Sequence, residues 1–411
     1  MTQSSGTEII RDVLETDVYN CSMINAANQL YPDTWAWYEI VDRNHEIFPE
    51  NFAALLLEKF QDLRALRSKE NLRNFLQLKW GFLAEDFFDW LDQYRFVPEY
   101  IKLWQDEEGH IFGKIVGPWS DIMFFEQIVM AVISQTRNEE LNYYPDDNWV
   151  DELLKIIYEM IAASLHISEF GLRRRAFNWM HDIVTDYLIK YGGDMYVGSS
   201  CPYHTQKSGL SPKGTVAHQW YLMHGAKYGV ENGNQAATIA WKAVYGDNLG
   251  TALPDTWGTK FFLATLTPGM AKLIKSYRHD SGDPFEFVDT MRKFYAHPKN
   301  HVDLESITLM FSDSLTITKA KQIDAYASQW FKTAYGIGGT FTNNIIFFKK
   351  TPAYKPLNMV VKPFGFSFDF GETWVKIAKV PDTNGKNVGD PEIIAKINEI
   401  KNKYPFLYSN F

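Results

Sequence analysis

The chain has 411 residues, 45% apolar and 22% charged, a balance that suits a folded globular protein and excludes collagen, coiled coil and disorder. Forty-one Lys and Arg against fifty Asp and Glu give a net charge of −9, which argues against a general nucleic-acid binder and against attraction to an anionic membrane. The aromatic fraction of 16% is high, and such rings either pack a core or line a pocket for a flat ligand.

At roughly 100–200 residues per domain, two or three domains are expected. The N-terminal end is polar and lacks the basic-then-apolar pattern of a signal peptide. Trp35 to Val41 is rich in strand formers, and Glu50 to Leu66 places Phe52, Leu55, Leu56, Phe60 and Leu63 at helical spacing. From Pro118 the rhythm changes to apolar strand-like runs alternating with amphipathic helices. The most apolar stretch, Phe124 to Ser134, is short and interrupted by Glu126 and Gln127, so no membrane span is read. Asp283 and Pro284 start a helix with Phe285, Val288, Met291, Phe294 and Tyr295 inward, ending before Pro298. A strand over Ile307 to Phe311 follows. A helix then runs from about Thr316 to Phe331, with Ile317, Ala320, Ile323, Ala327 and Trp330 inward. The tail after Lys350 returns to strand-like pieces, Asn358 to Lys362 and Trp374 to Val380. This order implies an α/β fold with parallel strands. The expected organisation is an N-terminal α/β domain (1–117), a barrel-like catalytic domain (118–350) and a C-terminal segment (351–411) packing back on the first. Cys21 and Cys201 make neither a disulfide framework nor a four-thiolate zinc site, so two free thiols in a reducing cytoplasm are expected.

Arg278-His279-Asp280-Ser281-Gly282-Asp283-Pro284 crowds two carboxylates, an arginine and a glycine onto one strand-to-helix turn. An arginine there suits a phosphate and a carboxylate suits ribose hydroxyls or Mg²⁺. The same residues equally suit a capped turn with one ion pair. Gly336-Ile337-Gly338-Gly339 can let backbone N–H groups approach a phosphate, or be an ordinary tight turn. Ser312-Asp313-Ser314 can serve the same phosphate or merely cap a helix. Phe170-Gly171-Leu172-Arg173-Arg174-Arg175 sets a ring beside three cations, which suits an aromatic acid or a solvated basic run. No zinc spacing, no GxSxG elbow and no standard phosphate loop occurs.

These motifs stand in one order along the chain, together with Thr16-Asp17-Val18-Tyr19, Gly117-Pro118-Trp119, Gly214-Thr215-Val216-Ala217-His218 and Lys355-Pro356-Leu357-Asn358. The set resembles the nicotinate phosphoribosyltransferases, from about Asp12 to the Lys379–Lys386 region. The resemblance implies an irregular α/β barrel with an N-terminal α/β domain completed by the C-terminal segment. It implies the attack of nicotinate on C1 of 5-phosphoribosyl-1-pyrophosphate, coupled to ATP hydrolysis, with Mg²⁺ held through the substrate phosphates, in NAD salvage. It also implies a cytoplasmic homodimer with shared active sites. By position, Phe170 would stack on the pyridine and Tyr19, from the partner subunit, on its other face. Arg173 would bind the carboxylate or phosphate region. Arg278 and Asp280 would hold the pyrophosphate side and the ribose, and Asp255 would lie near the ribose and metal. Gly338, Gly339 and Ser314 would cradle the 5′-phosphate, and His218 would be phosphorylated by ATP. Ser200 stands where nicotinamide-using relatives carry an aspartate, and a serine can donate to a carboxylate. Asn20, Thr316 and Gly339 depart from the usual pattern, which has lysine, aspartate and threonine there. A same-fold enzyme acting on nicotinamide or another pyridine, and a non-catalytic nucleotide-binding relative, are the alternative readings.

Overall fold

The computed structural model describes residues 3–383 and 385–405. They form two compact units, Met1–Asn28, Trp37–Gly214 and Ile337–Lys362 in the first, and Gln29–Ala36, Thr215–Gly336 and Pro363–Phe411 in the second. This division is drawn differently from the segments 1–117, 118–350 and 351–411: the chain leaves the first unit at Gly214 and returns to it at Ile337.

In the first unit, Ile101–Gln105 and Ile111–Pro118 pair antiparallel. Trp35–Asp42 lies beside them, followed by Met359–Ser367. The Arg43 N–H donates to the Asn358 carbonyl, so the start of the C-terminal segment joins this sheet. The helix Phe125–Glu140 is buried from Phe125 through Asn138, on all its faces. That accounts for its apolar run and makes Glu126 and Gln127 buried polar groups that need partners. A second element, the parallel pair Ile167–Glu169 and Tyr196–Ser199, ends in the loops that carry Phe170 and Ser200.

The second unit carries parallel strands in the order Thr251–Ala252, Ser276–His279, Thr308–Phe311 and Lys332–Ile337. The α/β reading therefore holds, with parallel strands where the alternation placed them. The helix Pro284–Ala296 starts as expected: the Asp283 carboxylate accepts from the N–H groups of Phe285 and Glu286, each at 2.9 Å. Its inward face begins at Phe287, while Phe285 lies half-buried against Tyr326. The helix Ile317–Ala327 stops short of Trp330, whose ring is covered by the Arg292 guanidinium at 3.8 Å. Between Trp374 and Val380 only Val375–Lys376 forms a strand. Among the described residues no helix is long and apolar enough to cross a membrane.

Candidate active site

The site residues read from the sequence fall into two clusters, one in each unit. In the second unit the C-terminal ends of parallel strands carry the acids, as the topology of such sheets favours. His218 is the first residue of the helix His218–Tyr228. Its Nε2 lies 2.9 Å from Asp255 Oδ1 and 3.8 Å from Asp280 Oδ2. The other Asp255 oxygen accepts from Ser281 Oγ at 2.6 Å and faces Lys379 Nζ at 3.5 Å. Asp280 accepts from Ser312 Oγ at 2.8 Å. Arg278 is buried, and its Nε has no hydrogen-bond partner among the described residues.

The charges follow from these contacts. Burial works to raise the Asp255 carboxyl, but Lys379 and His218 outweigh it and hold it well below the usual range. Asp280 is likewise lowered against its burial, mainly by Arg278 and His218. An ionised Asp255 can only accept, so His218 Nε2 carries the proton of that contact. Burial and the Lys379 charge push the His218 ring below its ordinary value, against the pull of Asp255 and Asp280. With Nε2 holding the proton of the Asp255 contact, Nδ1 is the ring nitrogen that can offer a lone pair.

In the first unit the Phe170–Arg175 run is resolved into different tasks. Phe170 is half-buried and its N–H donates to the Ile337 carbonyl. Arg173 pairs with Glu126 at 2.7 Å, and Lys362 reaches the same carboxylate oxygen at 2.6 Å. Arg174 and Arg175 are held by contacts within the chain. Arg174 donates to the Leu357 and Met359 carbonyls, and Arg175 to Glu15 and the Ile9 carbonyl. Tyr19 is held by its own chain: its hydroxyl accepts from Gln127 Nε2, and its charge field reaches Arg173. The Ser200 hydroxyl is engaged within the chain. It donates to Asp17 Oδ1, so its one proton is already committed inside the protein. Asp17 itself is raised by burial in spite of that bond.

Gly338 and Gly339 differ in what they permit. A side chain at Gly338 would stand 2.7 Å from the Phe170 carbonyl, while one at Gly339 would meet nothing within 4 Å. Ser314, in the second unit, is exposed with φ +50° and donates to Asp313. Two of the departures have structural roles: Asn20 donates to Thr16 and Gln127, and Thr316 caps the helix that follows it.

Several residues went unread in the sequence. Glu169 is fully buried, accepts from the Gly171 N–H and Ser199 Oγ, and lies 2.9 Å from His181 Nε2, tying the Phe170 loop to the Ser200 loop. Glu126 and Lys362 complete the Arg173 pair. Lys379, Ser281 and Asp382 surround Asp255: the Asp382 N–H donates to Ser281 Oγ, and its carboxylate accepts from Thr259. The one available signal was Glu126, a charge inside an otherwise apolar run, which demands a buried partner.

Two family models match: the nicotinate phosphoribosyltransferase (NAPRTase) family over residues 165–404, and the NAPRTase N-terminal domain over 14–134. The chain belongs to the nicotinate phosphoribosyltransferase family. It is 32% identical to the nicotinate phosphoribosyltransferase of Chromohalobacter salexigens over 94% of this chain and 97% of that one. It is 31% identical to that of Methanococcoides burtonii over 95% and 98%. The crystal structure of the nicotinate phosphoribosyltransferase from Porphyromonas gingivalis aligns with a TM-score of 0.91 at 31% identity, covering 96% of this chain and all of that one. In this family member both clusters keep the expected residue types at Phe170, Arg173, His218, Asp255, Arg278 and Asp280.

Proposed function

We propose that this chain is a nicotinate phosphoribosyltransferase of NAD salvage whose turnover is coupled to ATP hydrolysis through phosphorylation of His218. The pyridine nitrogen of nicotinate attacks C1 of 5-phosphoribosyl-1-pyrophosphate. The bond from C1 to the pyrophosphate oxygen breaks, its electron pair leaves with pyrophosphate, and nicotinate mononucleotide forms. The protein's task is to hold the two reactants in line and to balance the leaving charge. The observation that carries this reading is Arg278: a buried guanidinium whose Nε has no partner among the described residues and whose charge acts on Asp280. A buried cation with a vacant donor suits a phosphate oxygen.

Mg²⁺ fits the oxygen donors here. His218, Asp255 and Asp280 offer ligand atoms within 4.8 Å of one another, and Asp280, the less buried carboxylate, would meet a metal carried by the substrate phosphates. Bound Mg²⁺ would supply charge neutralisation at the pyrophosphate. Arg173 and Lys362 face Glu126 from two sides, with Asp17 also in the field of Arg173, and a pair of cations here supports an acid over an amide.

In the coupling step Nδ1 of His218 forms a bond to the γ-phosphorus of ATP as the bond from that phosphorus to the bridging oxygen breaks. ADP leaves with the electron pair, and the proton stays on Nε2, hydrogen-bonded to Asp255. The new negative charge sits at a helix N-terminus, where the peptide dipoles favour it. Replacing His218 by Ala is expected to abolish ATP stimulation while sparing some ATP-independent product. If ATP still stimulates His218→Ala, the phosphohistidine role is wrong.

A further inference from the structure

The strand end at Asp255 and the segment that begins at Lys379 are joined more closely than a shared ion pair requires. The Lys379 N–H donates to the Val388 carbonyl at 2.8 Å and the Val388 N–H returns a bond to Lys379 at 3.0 Å. The Val380 N–H donates to the Thr256 carbonyl at 3.0 Å, one residue beyond Asp255. Asp382 then accepts from Thr259 and donates its N–H to Ser281 Oγ, which in turn donates to Asp255 Oδ2. The backbone on both sides of Lys379 is thus pinned, and its Nζ faces Asp255 Oδ2, on the opposite side of the carboxylate from His218.

We propose that Lys379 is a positioning residue for the phosphorylation of His218: by holding Oδ2 of Asp255, it fixes Oδ1 on Nε2 and so presents Nδ1 to the incoming phosphorus. A carboxylate held from one side only can rotate and offer either oxygen. With Lys379 and Ser281 on one oxygen, the other is left to the imidazole alone. Ser281 supplies a hydrogen bond there and Lys379 supplies charge, so the two can be separated by experiment. The charged groups facing the His218 ring are Asp255 and Asp280, which favour its protonated form, and Lys379, which opposes it. Arg278 acts on Asp280. The inference rests on the phosphohistidine reading above.

The test follows acid-labile phosphate on the full chain from γ-labelled ATP and Mg²⁺, as a rate at one neutral pH, with ¹⁵N spectra of the histidines read beside it. The wild type, Lys379→Gln, Lys379→Arg and Ser281→Ala are compared. Lys379→Gln is expected to label about tenfold more slowly, with the His218 proton no longer confined to Nε2. Lys379→Arg should restore both the rate and the tautomer. Ser281→Ala should slow labelling less, because it removes no charge. An unchanged rate and tautomer in Lys379→Gln, with the wild type labelled, overturn the role of Lys379 alone. An unlabelled wild type overturns the phosphohistidine reading beneath it and this inference with it. Should Lys379→Gln fail to fold, ¹⁵N spectra of the histidines in the wild type decide the matter. A His218 ring carrying its proton on Nε2 at pH 7 supports the arrangement, and one carrying it on Nδ1 overturns it.

Discussion

Glu126→Gln removes the one carboxylate that faces both Arg173 and Lys362. Its side chain is 6% exposed, with Arg173 Nη1 at 2.7 Å and Lys362 Nζ at 2.6 Å. Burial alone would raise the carboxyl, but Lys362 and Arg173 hold it at about 2, against an ordinary 4.5. That drop corresponds to about 3 kcal/mol of stability at neutral pH. The cost of breaking a buried pair from one side is about 3–5 kcal/mol, so the two routes agree. Because the folded carboxyl is the stronger acid, its contribution is complete above about pH 4.5 and is lost as the pH falls towards 2. Urea denaturation of wild type and variant across pH 7 to 3.5 reads both features. The expected gap is about 3–5 kcal/mol at pH 7, narrowing once the pH drops below about 4.5. The double variant Glu126→Gln/Lys362→Met, with one fewer orphaned cation, should regain part of the loss. A gap under about 1 kcal/mol at pH 7, or one that does not change with pH, would refute the reasoning.

Other substitutions separate binding from support. Arg278→Lys keeps the charge but loses the planar donor set, so the KM for 5-phosphoribosyl-1-pyrophosphate should rise about 10–100-fold with the KM for nicotinate unmoved. A rise in both would place Arg278 elsewhere in the reaction. Arg175→Met should lower stability by about 1.5–3 kcal/mol by removing one of the two guanidinium partners of buried Glu15, Arg11 being the other, without changing the nicotinate KM of the folded fraction. A changed KM at full stability would return Arg175 to the site. Gly338→Ala should destabilise the chain by pressing on the Phe170 carbonyl, while Gly339→Ala, open and helical, should be neutral to about 1 kcal/mol more stable. Thermal melts check the pair, and equal losses would contradict the packing described.

The helices with strong three- and four-residue spacing were legible, because caps such as Asp283 and inward faces such as Val288, Met291 and Phe294 are local features. Their ends were less so: Trp330 has the right spacing for an inward residue but lies beyond the helix, under Arg292. The site was legible wherever one segment carries its own chemistry, as at Arg278 to Pro284. It was not legible where function depends on contacts distant in sequence. Nothing local distinguishes Arg173, which pairs with Glu126, from Arg174 and Arg175, which hold the backbone carbonyls and Glu15. Nor could spacing show that Ser200 gives its proton to Asp17, 183 residues away, or that Lys379 meets Asp255.

The most direct measurement is product formation by the purified chain from nicotinate, 5-phosphoribosyl-1-pyrophosphate and Mg²⁺, with and without ATP, following mononucleotide and ADP together. The expected result is nicotinate mononucleotide, released faster with ATP and accompanied by ADP, and little product when nicotinamide replaces nicotinate. No mononucleotide from nicotinate under either condition would contradict the assignment of the two clusters to this reaction.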